Sequence, residues 1–257
     1  MAAELNYELS GRDGAHAIVF TGSLGTDLTM WRPQSDRLGE RFRTLRYDIR
    51  GHGASEVPPG PYSMADLGSD LIALLDRLAI DRASLCGLSI GGMIAMWAAA
   101  HAPERVERLV LCCTSAQLGP PESWTERAAT VRAGGVEAVA DAVLGRWFTP
   151  GFAAAEPGVI ERMRRILTAT PREGYAGCCE AIAEMDLTPE LPAITAPTLV
   201  LAGEQDPATP PEHGRRIAGL IPGARFDTVA PAAHLATVER PDLTTAMILR
   251  FLSDEEA

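Results

Sequence analysis

The sequence contains no lysine: all 23 of its basic residues are arginine. That absence excludes chemistries built on a primary amine, among them Schiff-base and pyridoxal catalysis, the phosphate-loop lysine and the kinase lysine. Cysteine is scarce and odd in number, with five in 257 residues (Cys86, Cys112, Cys113, Cys178 and Cys179). The adjacent pairs have no C-x-x-C spacing and lie among apolar or small residues, which reads as buried reduced thiols. No H-x-x-x-H or carboxylate spacing suggests a metal, and nothing in the chain asks for a cofactor. Cationic excess is missing too. A net charge of −11 disfavours nucleic acid and anionic membrane surfaces, whose phosphates need a basic face, yet leaves room for a small anion met by local arginines. The longest mostly apolar run, Ile90 to Ala102, is shorter than the ~18 residues of a membrane span, and the opening MAAELNYELSGRDG has no apolar signal-peptide core. The expectation is a cytoplasmic protein.

The hydrophobic fraction of 46% removes disorder from consideration, and 257 residues suit one large α/β domain with an insertion. Short apolar strands at Ala17 to Phe20 and Thr44 to Asp48 end in Gly-rich loops. Ser63 opens a helix with Asp66 near the capping-box position, and Leu67, Leu71, Leu74, Leu75 and Leu78 follow at helical spacing. A further strand at Val106 to Cys112 is apolar enough to be covered on both faces. From Gly119 to Pro189 the strand character vanishes and Pro and Gly divide the segment into short helical pieces. Alternation resumes with a strand at Thr198 to Ala202, a helix near Pro211 to Leu220, a strand near Ala224 to Val229 and a closing helix to Leu252. The pattern predicts a doubly wound, mostly parallel sheet from residues 1–118 and 190–257, with a helical cap at 119–189 over the strand ends.

Gly87-Leu88-Ser89-Ile90-Gly91 is a G-x-S-x-G pattern between a β-like run, Arg82 to Cys86, and a helix-like one. It matches a nucleophile elbow, in which a tight strand-to-helix turn needs small neighbours and aims the serine hydroxyl at the edge of the sheet. A serine at neutral pH is almost wholly protonated, so a nucleophile needs a base and the base an orienting acid. Asp206, in Gly203-Glu204-Gln205-Asp206-Pro207, and His234, in Ala230-Pro231-Ala232-Ala233-His234, each follow a strand and supply both in the order Ser, Asp, His. Each also has a plain alternative, Asp206 as a turn residue and His234 as a helix cap. His16, His52, His101 and His213 have no comparable setting. A tetrahedral intermediate also needs backbone donors. The amide of Ile90 is one, and Ser23, in the loop Thr21 to Gly25 after the expected third strand, is the candidate for the other. A plain turn serine is its alternative.

With these residues placed, the chain resembles an α/β-hydrolase over its whole length, and it is similar to the 3-oxoadipate enol-lactonases of bacterial protocatechuate and catechol degradation. The resemblance is carried by Ser23-Leu24-Gly25-Thr26-Asp27, Tyr47-Asp48-Ile49-Arg50-Gly51-His52-Gly53, Gly87 to Gly92 and His101 to Val106, and by the cap stretches Gly119 to Trp124, Thr130 to Gly135 and Arg146 to Pro150. The Gly-His-Gly and elbow motifs are shared by many esterases; the cap stretches narrow the match to lactonases. One departure is visible: the superfamily's frequent His-Gly pair is Thr21-Gly22 here, which leaves open what supports that loop.

The resemblance implies a small anionic substrate, a five-membered enol-lactone with an acetate arm, opened by Ser89 with His234 as base and Asp206 holding its tautomer. For the arm, the cap arginines Arg132 and Arg146 are candidates, with solvated helix arginines as the alternative. Trp124 and Trp147 either wall the pocket or pack cap against core. A carboxylesterase or perhydrolase of broader acyl range is the nearest competing reading. A non-catalytic binding module is a more distant one, and a haloalkane dehalogenase or epoxide hydrolase would need an acid where Ser89 stands. Some enol-lactonases are fused to, or associate with, a carboxymuconolactone decarboxylase, so the acidic end Asp254-Glu255-Glu256-Ala257 reads either as a true terminus or as a linker.

Overall fold

The alternating apolar runs become one sheet. The computed structural model describes residues 2–253, so the acidic end at Asp254 to Ala257 lies outside the described residues. The chain opens with β1 (Tyr7–Gly11), β2 (Ala17–Thr21), α1 (Arg32–Leu38), β3 (Arg43–Tyr47), α2 (Met64–Arg77), β4 (Ala83–Leu88), α3 (Ile90–His101) and β5 (Val106–Cys112). Five helices follow without a strand: α4 (Pro121–Gly134), α5 (Glu137–Trp147), α6 (Pro150–Ala155), α7 (Pro157–Ala169) and α8 (Arg172–Glu184). The chain then returns to the sheet with β6 (Thr198–Gly203), α9 (Pro211–Leu220), β7 (Arg225–Val229), α10 (Ala236–Glu239) and α11 (Pro241–Ser253).

The strand order is β1-β3-β2-β4-β5-β6-β7, parallel throughout except that β1 runs antiparallel to β3. Every residue of β2, β4 and β6 is buried, as expected of parallel strands covered on both faces. The edge strand β1 is mostly exposed and carries the polar sequence YELSG, so it gives no apolar signal. At the start of α2 the capping box forms, with Asp66 N donating to Ser63 Oγ at 3.1 Å and Ser63 N to Asp66 Oδ2 at 2.9 Å. Leu67, Leu71, Leu74 and Leu75 form its buried face. All five cysteines are free and buried. No helix among the described residues is long and apolar enough to cross a membrane.

The chain crosses over at the middle of the sheet, because β3 and β4 lie on opposite sides of β2. In open α/β sheets such a switch point opens a crevice at the carboxyl ends of the strands. Thr21 pairs with Gly87 across β2 and β4, which sets the loop after β2 beside the turn after β4. The loop Thr21 to Gly25 therefore follows the second strand, and not the third as the sequence suggested, since only β1 precedes β2.

Candidate active site

Ser89 lies between β4 and α3 at φ 58° and ψ −120°, a conformation that costs a non-glycine residue about 1–3 kcal/mol. The surrounding backbone holds it there. A Cβ on Gly87 would lie 2.2 Å from the Gly91 carbonyl oxygen, and one on Gly91 only 2.3 Å from that of Thr21. The two flanking glycines thus allow strand, helix and the β2 loop to close on one point. Ser89 N donates to Cys112 O at 3.0 Å, and Thr114 Oγ1 donates to Ser89 O at 2.6 Å.

Asp206 and His234 come from the loops after β6 and β7, which are joined by Glu204 N donating to Val229 O and Gln205 N to Ala232 O. Asp206 Oδ1 accepts from the amides of Ala208 and Thr209 at 2.8 and 3.0 Å, and Oδ2 accepts from Thr209 Oγ1 at 2.7 Å. Asp206 Oδ2 also lies 2.8 Å from His234 Nδ1, while His234 Nε2 lies 3.0 Å from Ser89 Oγ. Burial opposes ionisation of Asp206, but the charge of His234 and the bonds from His234 and Thr209 prevail and hold its pKa below the usual carboxylate value. An ionised Asp206 accepts a hydrogen bond from Nδ1–H and so keeps the proton on that nitrogen, leaving Nε2 as the acceptor that faces the serine hydroxyl.

A buried carboxylate fastens the histidine loop from behind. Glu239, at the end of α10, accepts from Ala233 N at 3.0 Å, from Thr149 N at 3.3 Å and from Thr149 Oγ1. Leu235 N donates to Trp147 O at 2.9 Å. These bonds tie the His234 loop to the end of α5. Neither Thr209 nor Glu239 was legible as a site residue in the sequence.

Ile90 is the first residue of α3, so its N–H has no acceptor within the helix. Ser23 N instead rests on Met30 Sδ at 3.3 Å, a weak acceptor, and Leu24 N has no acceptor among the described residues. Support for this loop comes from elsewhere than a His-Gly pair. Gly25 N donates to His52 Nε2 at 2.9 Å, Thr26 Oγ1 to Ser23 O at 2.7 Å, and Thr21 Oγ1 to Tyr47 Oη at 3.1 Å. His52 is fully buried, with Nδ1 3.2 Å from Arg50 O. Burial lowers its pKa to about 4, so the ring is neutral and Nε2 free to accept.

A cavity of about 230 Å³ opens onto Ser89. Ser23, Leu24 and His234 border it from the sheet, and Trp124, Arg127, Arg146, Trp147 and Tyr175 from the inserted helices. Of the expected substrate-binding residues, the arm candidate Arg146 and the wall candidates Trp124 and Trp147 therefore reach the cavity. Arg132 does not: its guanidinium pairs with Glu173 at 2.8 Å and Glu180 at 2.5 Å, and the hydrogen bonds it donates to Glu180 and Glu173 raise its pKa. Arg127 lies five residues earlier on α4, about 140° away around a helix of 3.6 residues per turn, and it is the one that borders the cavity.

A second array of the same residue types lies at the other end of the sheet. Ser84 Oγ is 2.9 Å from His16 Nε2, and His16 Nδ1 is 3.3 Å from Glu107 Oε2. Ser84 is 1% exposed and has no left-handed backbone, and none of the three borders the cavity at Ser89.

Residues 16–241 match the model of the alpha/beta hydrolase fold. The chain is 42% identical to 3-oxoadipate enol-lactonase 2 of Acinetobacter baylyi, over 92% of this chain and 88% of that one. Among solved structures, the enol-lactonase from Burkholderia xenovorans LB400 superposes with a TM-score of 0.96 at 46% identity, covering 98% of this chain and 97% of that one. A thermophilic esterase from Thermogutta terrifontis, solved with malate bound, gives a TM-score of 0.93 at 33% identity over 97% of this chain and 93% of that one.

Proposed function

The chain belongs to the α/β-hydrolase family, and we propose that it is a lactone hydrolase that opens 3-oxoadipate enol-lactone to 3-oxoadipate in the bacterial breakdown of aromatic compounds. The observation that carries this reading is the hydrogen-bonded line Ser89, His234, Asp206 ending on a strained turn at a cavity. Its setting supports the substrate: a chain 42% identical over 92% of its length to a 3-oxoadipate enol-lactonase. The helices between β5 and β6 act as a cap over the cavity.

Ser89 Oγ attacks the ring carbonyl carbon as its proton passes to His234 Nε2, and Asp206 stabilises the imidazolium and keeps Nδ1 as the donor. The oxygen that becomes negative takes hydrogen bonds from the Ile90 amide and from the 23–24 loop, where the Ser23 amide exchanges the Met30 sulfur for a far stronger acceptor. Collapse of the tetrahedral adduct breaks the ring C–O bond and releases the enol oxygen, with the proton returned from His234. The released enol stays tethered to the acyl group and could close the ring again. Tautomerisation, in which the enol oxygen loses its proton as one adds to carbon, converts it to the ketone and removes that nucleophile. Water, deprotonated by His234, then attacks the acyl-serine carbon, freeing the acid and restoring Ser89. Each step uses protein groups and water alone.

The test follows enol-lactone absorbance with wild type and Ser89→Ala, beside 4-nitrophenyl acetate as a generic ester. Rapid loss of the lactone, well above the ester rate and abolished in the variant, is expected. Fast ester cleavage with an idle lactone would overturn the substrate and leave Ser89 as nucleophile.

A further inference from the structure

We propose that Arg127, Arg146 and Tyr175 form a carboxylate-binding subsite in the wall of the cavity at Ser89, which selects acyl substrates that carry a terminal carboxylate. The inference deepens the hydrolase reading above and rests on it for the reacting end of the substrate.

The first observation is an imbalance of charge. The chain carries 34 acidic against 23 basic residues, yet the residues that border this cavity include two arginines and no carboxylate. Elsewhere the protein pairs its buried arginines: Arg50 holds Asp70 at 2.6 Å, and Arg46 holds Glu8 at 2.7 Å. Arg127 and Arg146 have no such partner among the described residues. Both are half-buried, and Arg146 is disfavoured as a cation first by burial and then by the like charge of Arg127. Two neighbouring cations removed from water without a counter-ion are destabilising unless an anion joins them.

The second observation is independent of charge. The Tyr175 side chain has no exposed surface and borders the cavity, and its hydroxyl, which makes no full hydrogen bond among the described residues, lies within reach of the Arg127 guanidinium. A guanidinium can only donate, so the buried phenol proton is left for an acceptor that enters the cavity. Arg127 and Arg146 are its charged neighbours. The three donors come from α4, α5 and α8, so the subsite depends on how three inserted helices pack. Arg127 is further held with its guanidinium carbon 4.8 Å from the Trp124 ring centroid, a contact that uses the face of the group and leaves its N–H edges to an acceptor. A carboxylate, with two oxygens and about four acceptor positions, matches two guanidinium edges and a phenol.

The experiment compares two aryl esters that differ in charge and by one methyl group, 4-nitrophenyl hemisuccinate and its methyl ester, alongside the enol-lactone. Wild type is expected to prefer the anionic ester in kcat/KM. Arg127→Met and Arg146→Met should each reduce that preference by about 10- to 100-fold, chiefly through KM, as the loss of a charge-assisted hydrogen bond requires. Arg146→Lys should restore part of it. Tyr175→Phe, which removes one oxygen and keeps the packing, should reduce it by about 3- to 10-fold. A wild type without preference, or one whose preference survives both arginine substitutions, would overturn the subsite even if the lactone is turned over. An idle lactone with an intact, arginine-dependent preference would sink the enol-lactonase reading and uphold the subsite.

Discussion

Protonation of His52 should loosen the turn beside the nucleophile. Its ring is fully buried and accepts the Gly25 amide through Nε2, which only the neutral form can do. The ordinary pKa of 6.5 applies in the unfolded chain, whereas burial brings it to about 4 in the folded one. The unfolded state therefore binds the proton more readily, and stability rises with pH. The contribution of His52 is fully present above its unfolded pKa and is lost as pH falls from there towards 4. At about 1.4 kcal/mol per pH unit, most of that interval amounts to roughly 2.5 kcal/mol at about pH 4.5. His52→Gln offers an amide oxygen to Gly25 and takes up no proton. Urea unfolding of both proteins at about pH 7.5 and about pH 4.5 isolates the residue, because every other titrating group is common to the pair. Wild type should lose roughly 2.5 kcal/mol more than the variant. Equal losses would refute the reasoning, since they would mean that His52 accepts its proton in the folded state without penalty.

Asp206→Asn keeps the shape of the side chain but presents an amide to His234, which favours the wrong tautomer; kcat should fall by about 10³- to 10⁴-fold with little change in KM. A fall of less than tenfold in steady-state turnover would remove Asp206 from that role. Glu239→Ala leaves the Ala233 and Thr149 donors buried without an acceptor, a loss of about 2–4 kcal/mol that should lower the melting temperature by roughly 5–15 °C and kcat with it. An unchanged melting temperature would show that the tie carries no energy. A fluorophosphonate should label wild type once per chain, as read by intact mass, and Ser89→Ala not at all; a second label would mean that Ser84 also reacts.

Much of the fold was legible because its signals are local. The covered strands are apolar along their whole length, the α2 cap is a Ser63–Asp66 box, and the segment between β5 and β6 lacks strand character throughout. The strand β1 escaped because an exposed edge strand has no apolar face to display. Ser89, Asp206 and His234 could be picked out because each sits in a short loop just after a strand, in the order Ser, Asp, His, and the structure brings the three into contact. The cavity wall was harder to read. Whether Arg127 or Arg132 faces inward depends on the rotation of α4 against α8, a tertiary quantity that no local motif encodes. Tyr175 and Glu239 matter through partners 90 or more residues away or in another helix, as Glu239 does with Thr149.

The series serine, imidazole, carboxylate occurs at each end of the sheet among the described residues, hydrogen-bonded throughout at His234 and, at His16, bonded to Ser84 with Glu107 3.3 Å from the other ring nitrogen. At His16 it closes a seam: each polar group supplies what its neighbour lacks, and the serine has nowhere else to go. At His234 the same sequence of atoms ends on a residue whose backbone is bent out of its comfortable range and whose hydroxyl looks into empty space. A search for reactive serines by side-chain geometry alone would return both ends with equal weight. The distinguishing information lies in the main chain and in the void, so grafting the three side chains onto another sheet would reproduce the seam unless the turn and the cavity were carried over as well.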